Sequence, residues 1–148
     1  MIYCGYQGCG KSTYCRTFPE NTFDLDSSAF TKVNGWEENY VRTAVEIAKG
    51  GKEVFISAHH EVIAYCINHD IPMVVLAPSQ SKEAWRARLE FRYHKNPIIA
   101  NFRAIADFEQ NFEKDLAFYR ELENHGVDVQ WIEATVVTNI SEKIQKNS

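Results

Sequence analysis

The sequence lacks any apolar run near the ~18 residues that a membrane-spanning helix requires, so membrane partnership is not expected. It also lacks linkers. With 4 prolines and 7 glycines in 148 residues, no Pro/Gly/Ser-rich stretch, repeat or low-complexity tract divides it, which predicts one domain over residues 1–148. Cysteine chemistry is equally scarce. Cys4, Cys9, Cys15 and Cys66 form no Cys-x-x-Cys pair and no zinc-ligand spacing with histidine, so neither a disulfide framework nor a structural zinc is indicated. Residues Met1–Gly5 lack the basic start and apolar middle of a signal peptide, and three thiols in the first fifteen residues suit a reducing compartment; a cytoplasmic location is expected. No charge sign dominates: 16 basic and 20 acidic side chains give −4, which offers no support for extended nucleic-acid or anionic-membrane binding. Oligomeric state has no signature in the sequence.

What is present is a regular alternation. Residues 1–4, 22–25, 53–57, 73–77 and 127–132 are short apolar runs that read as strands, and the third and fourth are nearly continuous, as in strands covered on both faces. Between them, Trp36, Tyr40, Ala44, Ile47 and Ala48 recur at helical spacing and stop at Gly50-Gly51. Val62, Ile63, Cys66 and Ile67 make a second helix that halts before Pro72. Trp85, Leu89 and Tyr93 define a third with Ser81 as its cap, and Asn96-Pro97 reads as the cap and first-turn proline of a long helix running towards Gly126. Strand–helix alternation predicts an α/β three-layer domain with a parallel sheet between helices.

The most specific motif is Gly5-Tyr6-Gln7-Gly8-Cys9-Gly10-Lys11-Ser12, a complete G-x-x-x-x-G-K-[ST] pattern after one strand and before a helix. Its chemistry explains its composition. A triphosphate concentrates negative charge, and backbone N–H groups can surround it only where side chains do not block approach. The loop residues Gly8, Cys9 and Gly10 would therefore contribute backbone donors. Lys11 would reach the β- and γ-phosphates, Ser12 would ligate Mg²⁺, and Thr13 would add a hydroxyl at the α-phosphate. By chance such a pattern arises in roughly half a percent of chains this long.

Asp24 and Asp26 follow the second strand candidate, and ligands of open parallel sheets sit at the carboxyl ends of strands. Two apart on a strand, they would point to one side, one holding Mg²⁺ and the other taking a proton from an acceptor hydroxyl. The alternative is a turn stabilised by Asp and Ser side chains. The third strand ends Ser57-Ala58-His59-His60 without a carboxylate. Residues 81–95 carry Lys82, Arg86, Arg88, Arg92 and Lys95 against Glu83 and Glu90, a local +3 that leaves −7 for the rest. A segment so charged, with polar residues 93–97 after it, suits a closing lid over residues 81–97 whose arginines stabilise a transferring phosphoryl group; a solvated basic face is the plain alternative. Arg42 and His59 are candidates for contacting an acceptor, each with a surface or capping role as the alternative. Tyr6, Trp36 and Tyr40 are candidates for stacking on a base.

On these residues the chain resembles the small P-loop kinases, which include nucleoside monophosphate kinases, shikimate- and gluconate-type kinases and the kinase domain of phage polynucleotide kinase. It looks most like the short single-domain nucleotide kinases of phages and Gram-positive bacteria. The resemblance implies a P-loop NTPase fold with a five-stranded parallel sheet and a small arginine-bearing lid. It implies ATP and Mg²⁺ as cofactors, and transfer of the γ-phosphate to a small acceptor, foremost a (deoxy)nucleoside monophosphate. Kinases of a hydroxyl acceptor and a non-transferring ATP-binding regulator or ATPase are the alternatives. It assigns catalysis to Lys11, Asp26, Arg88 and Arg92, nucleotide contact to Arg86 with the loop, acceptor contact to Asp26, Arg42 and His59, metal to Ser12 and Asp24, and an adenine slot to residues 134–139. Two departures stand out. Residues 27–52 are short for a monophosphate-binding subdomain, and the arginine that polynucleotide-type kinases place three residues past the base aspartate is Ala29 here.

Overall fold

A computed structural model describes residues 1–79 and 81–133. The described residues form five strands and five α-helices in the order β1 (Ile2–Gly5), α1 (Lys11–Thr17), β2 (Thr22–Asp24), α2 (Trp36–Lys49), β3 (Glu53–Ser57), α3 (His60–Asn68), β4 (Met73–Pro78), α4 (Lys82–Lys95), α5 (Ile99–Asn124) and β5 (Asp128–Ile132). All neighbours pair in parallel, in the order β2-β3-β1-β4-β5. A parallel sheet needs helical crossovers, and these bury both faces. The three central strands show it: β1 and β4 are buried throughout, and Val54, Phe55 and Ile56 of β3 are fully enclosed. At the β2 edge, by contrast, Phe23 stays 39% exposed. Among the described residues no helix is long and apolar enough to cross a membrane.

The strand order positions the site. After β1 the chain fills one side with β2 and β3, then crosses β1 to place β4 and β5 on the other. The crevice at the carboxyl end of β1, where the direction of winding reverses, is where open α/β sheets take ligands. Gly5 lies in register with Ser57 of β3 and Leu76 of β4, so the loop leaving β1 emerges between two strand ends. The hydroxyl of fully buried Tyr40, on α2, donates to the Leu25 carbonyl (2.6 Å) and accepts from the Ser57 amide (2.9 Å), tying the ends of β2 and β3 together.

Three local expectations are corrected. Asn96-Pro97 does not open the long helix: Asn96 closes α4, with its carbonyl accepting from the Asn101 side chain (2.9 Å), and Ile98 precedes the first residue of α5. The β2 strand ends at Asp24, so Asp26 is not on a strand; it caps a 3-10 turn over Ser27–Ala29 by accepting from the Ser28 amide (2.9 Å). Tyr6, Trp36 and Tyr40 are at most 8% exposed and belong to the core, leaving no ring face open to a base. The Ser81 cap is as expected, accepting from the Ala84 amide at 3.2 Å.

Candidate active site

The loop from Gly5 to Lys11 is shaped by what packs beneath it. Gly5 can carry no side chain, since a Cβ there would lie 2.7 Å from the Cys9 sulfur. Gly8 has φ +83° and sits against α4, where its Cβ would meet Leu89 at 2.8 Å. Helix α4 clamps the loop from above. The indole N–H of fully buried Trp85 donates to the Gln7 carbonyl (2.9 Å), and the Arg88 guanidinium donates to the Gly8 carbonyl. Segment 82–95 is therefore one continuous helix packed on the loop, and its two contacts satisfy backbone carbonyls while leaving loop N–H groups for a ligand. Cys9 is buried, and burial pushes its thiol pKa up, which suits an inert packing role rather than a reactive one.

Two clefts open from this loop. One, of about 600 Å³, is lined by residues 7–13 together with Arg16, Arg88, Phe91, Arg92, Lys95, Asn96, Ile98 and Asn101. Among the described residues it holds five cationic side chains, Lys11 included, and not one carboxylate. Burial, with Arg92 as a like-charged neighbour, depresses the Arg88 pKa, although a guanidinium stays protonated at any ordinary pH. The second cleft, of about 430 Å³, is walled by Ser57–Glu61 at the end of β3, by Asp107, Asn111, Lys114, Asp115 and Tyr119 of α5, and by Gly5–Gln7. Lys11 lines both. It stands at the junction of a cationic chamber and an acid-walled one.

The carboxylates after β2 take separate positions. The Ser12 hydroxyl donates to Asp24 Oδ2 (2.7 Å), while Asp24 Oδ1 is buried without a hydrogen-bond partner. An orphaned carboxylate oxygen beside a motif serine is a donor set that fits Mg²⁺, which takes one or two protein oxygens and completes its shell with phosphate and water. Among the described residues no three His, Cys, Asp or Glu side chains cluster to hold a metal by themselves, so a cation here would be shared with a bound nucleotide. Asp26 is exposed. The Ser28 amide holds its pKa below the usual carboxylate range, with Lys11 and Lys32 adding to the effect.

Of the other residues expected at the site, Thr13 lines the cationic cleft, its hydroxyl accepting from Arg16 (3.3 Å), and His59 lines the acidic one. His59 lies edge-on to Trp36 with ring centres 5.4 Å apart, and burial lowers its pKa. Arg86 and Arg42 stand apart from both clefts. Arg86 forms a two-pronged pair with Glu109 on α5, and exposed Arg42 pairs with Glu38 (2.8 Å) one turn back on α2. The adenine slot at residues 134–139 lies outside the described residues. The sequence reading missed the α5 wall: His60 Nε2 contacts Asp115 (2.8 Å), and Gln7 and Asn111 both donate to Asp107 (2.9 and 2.8 Å). Their signal was present as a polar stripe at 107, 111, 114 and 115, beside the apolar stripe at 105, 108, 112, 116 and 119.

This combination, a G-x-x-x-x-G-K-[ST] loop at the central strand of a 2-3-1-4-5 parallel sheet, defines a three-layer α/β P-loop fold, the fold class expected from the sequence. No protein-family model matches the chain, and no curated protein matches its sequence. Among solved structures it is similar to shikimate kinase from Bacteroides thetaiotaomicron, with a TM-score of 0.53 and 17% identity over 99% of this chain and 94% of that one. At that identity the likeness establishes the three-layer fold, and the chemistry must be argued from this chain's own residues.

Proposed function

We propose that the chain is an ATP- and Mg²⁺-dependent phosphotransferase that moves the γ-phosphate onto a small molecule. The observation that carries this reading is the position of Lys11 on both clefts. A chamber with five cations and no carboxylate suits the triphosphate, and the neighbouring chamber offers room for an acceptor on the far side of the same lysine. In this reading the N–H groups of Gly8 and Gly10–Thr13 hold phosphate oxygens, while the Cys9 N–H donates to the Tyr6 carbonyl (3.0 Å) within the loop. Ser12 and Asp24 would hold Mg²⁺, which supplies charge neutralisation on the phosphates. Arg88 and Arg92 offset charge on the moving group, and a carboxylate such as Asp26 accepts the acceptor's proton. His59 lines the acceptor side.

Support for a nucleoside monophosphate as the acceptor is thinner. That expectation needs a cation to grip the acceptor's phosphate, and Arg42, the arginine expected at the acceptor, pairs with Glu38 instead.

The test is incubation with labelled ATP and a panel of nucleotides, nucleosides, small polyols and 5′-hydroxyl DNA, alongside Lys11→Ala. Phosphorylated product from the wild-type protein, lost in Lys11→Ala, is the expected result. Tight ATP binding with no transfer to any acceptor would make the chain an ATP-binding regulator or ATPase.

A further inference from the structure

The acceptor cleft is chemically unlike its neighbour, and the contrast defines what can enter it. Among the described residues Glu61, Asp107 and Asp115 line it, no arginine does, and Lys114 is its one lysine apart from the shared Lys11. His60 Nε2 lies 2.8 Å from Asp115 Oδ1. A phosphomonoester carries nearly two negative charges and is recognised through guanidinium forks or backbone N–H nests. In this cleft it would instead face three carboxylates against two lysines, with no guanidinium fork among the described residues.

Hydroxyl groups meet the opposite reception. The Asp107 carboxylate is held in place by Gln7 and Asn111, one bond to each oxygen, which leaves a further lone pair on each oxygen to accept from a ligand. Tyr6 supplies a second, independent sign of a polar ligand. It is 3% exposed and lines the cleft, yet its hydroxyl, close to Asp115, makes no well-formed hydrogen bond. A buried hydroxyl without a partner is costly, and a bound hydroxyl compound would satisfy it.

Resting on the phosphotransferase reading, we propose that the acceptor is a small polyhydroxylated compound without an anionic group, its hydroxyls read by Asp107, Asp115 and Tyr6. The transfer balances simply. An acceptor oxygen bonds to the γ-phosphorus as the bond between that phosphorus and the bridging oxygen of ADP breaks, and the hydroxyl proton passes to a cleft carboxylate and on to solvent. The product is a phosphomonoester, the kind of anion this cleft repels, so the same charge that selects the acceptor also speeds release.

The experiment uses matched pairs with Mg-ATP: thymidine and thymidine 5′-monophosphate, adenosine and adenosine 5′-monophosphate, ribose and ribose 5-phosphate, glycerol and glycerol 3-phosphate. Product is identified by mass, and kcat/KM is compared within each pair. The uncharged member should win by about tenfold or more, and Asp107→Lys should narrow that gap while leaving the KM for ATP within about threefold. Asp107→Asn, nearly isosteric, should raise the KM for the uncharged acceptor. Preference for the phosphorylated member overturns the acceptor class and leaves the phosphotransferase reading standing. ATP binding with no transfer to either member of any pair defeats both.

Discussion

Replacing Gly8 by alanine tests whether α4 shapes the phosphate loop. Gly8 has φ +83°, a conformation that costs an L-residue about 1–2 kcal/mol. The added Cβ would lie 2.8 Å from a Leu89 methyl and 3.3 Å from the Trp85 indole nitrogen. Neither can swing aside: both side chains are buried, and the indole is committed to the Gln7 carbonyl. Overpacking of this kind costs about 1–3 kcal/mol. Gly8→Ala should therefore lose about 2–5 kcal/mol, a large share of the roughly 5–15 kcal/mol that stabilises a domain. Because α4 must move outward, the Arg88 contact to the Gly8 carbonyl weakens with it, and ATP affinity should fall about tenfold if ~1.4 kcal/mol of the strain is expressed at the loop. Urea denaturation at constant slope reads the first quantity, and calorimetric ATP titration the second. A double-mutant cycle with Leu89→Ala isolates the clash. Leu89→Ala alone should cost about 2–5 kcal/mol, but the double variant should be at least about 1 kcal/mol more stable than the sum. Additive costs, or a Gly8→Ala variant within about 0.5 kcal/mol of wild type, would refute the argument.

Two further perturbations address the site's charges. Asp24→Asn should weaken ATP binding about tenfold or more in Mg²⁺ while changing binding in excess chelator by under about threefold; equal losses in both conditions would show that Asp24 does not serve the cation. His59, with its pKa held below the ordinary 6.5 by burial, binds its proton less readily when folded. Its contribution to stability is thus complete above 6.5 and lost as pH falls through the lowered folded value. The wild-type Tm should drop more steeply below pH 6.5 than that of His59→Gln, and parallel profiles would count against the assignment.

Helix α4 shows where one-dimensional reading stops. Its apolar positions Trp85 and Leu89 and its cap Ser81 are as the spacing predicts. Yet Arg86 and Arg88, two residues apart, diverge, one to Glu109 and the other to the loop carbonyl at Gly8. Helical periodicity puts residues on faces but does not say which neighbour each face meets. The same ignorance hid the acidic wall of the second cleft, because a polar stripe on a 26-residue helix reads as solvent-facing until the fold turns it over a cleft. Asn96-Pro97 misled for a different reason: the cap and first-turn proline signal is local, and tertiary packing let α4 run to Lys95 before it.

The sequence alone determined the alternation, the parallel sheet and the phosphate loop, since each rests on short-range rules: apolar run length, helical period, and the glycine and lysine spacing that phosphate demands. Only the tertiary structure decided the charge of each chamber. Lys11 and Ser12 meet Arg88 and Arg92 on one side, and Asp107 and Asp115 line the other, because strands β1, β3 and β4 bring together chain segments up to about a hundred residues apart. Summed over the sequence those charges are a featureless −4; separated in space they distinguish a cationic chamber from an acid-walled one.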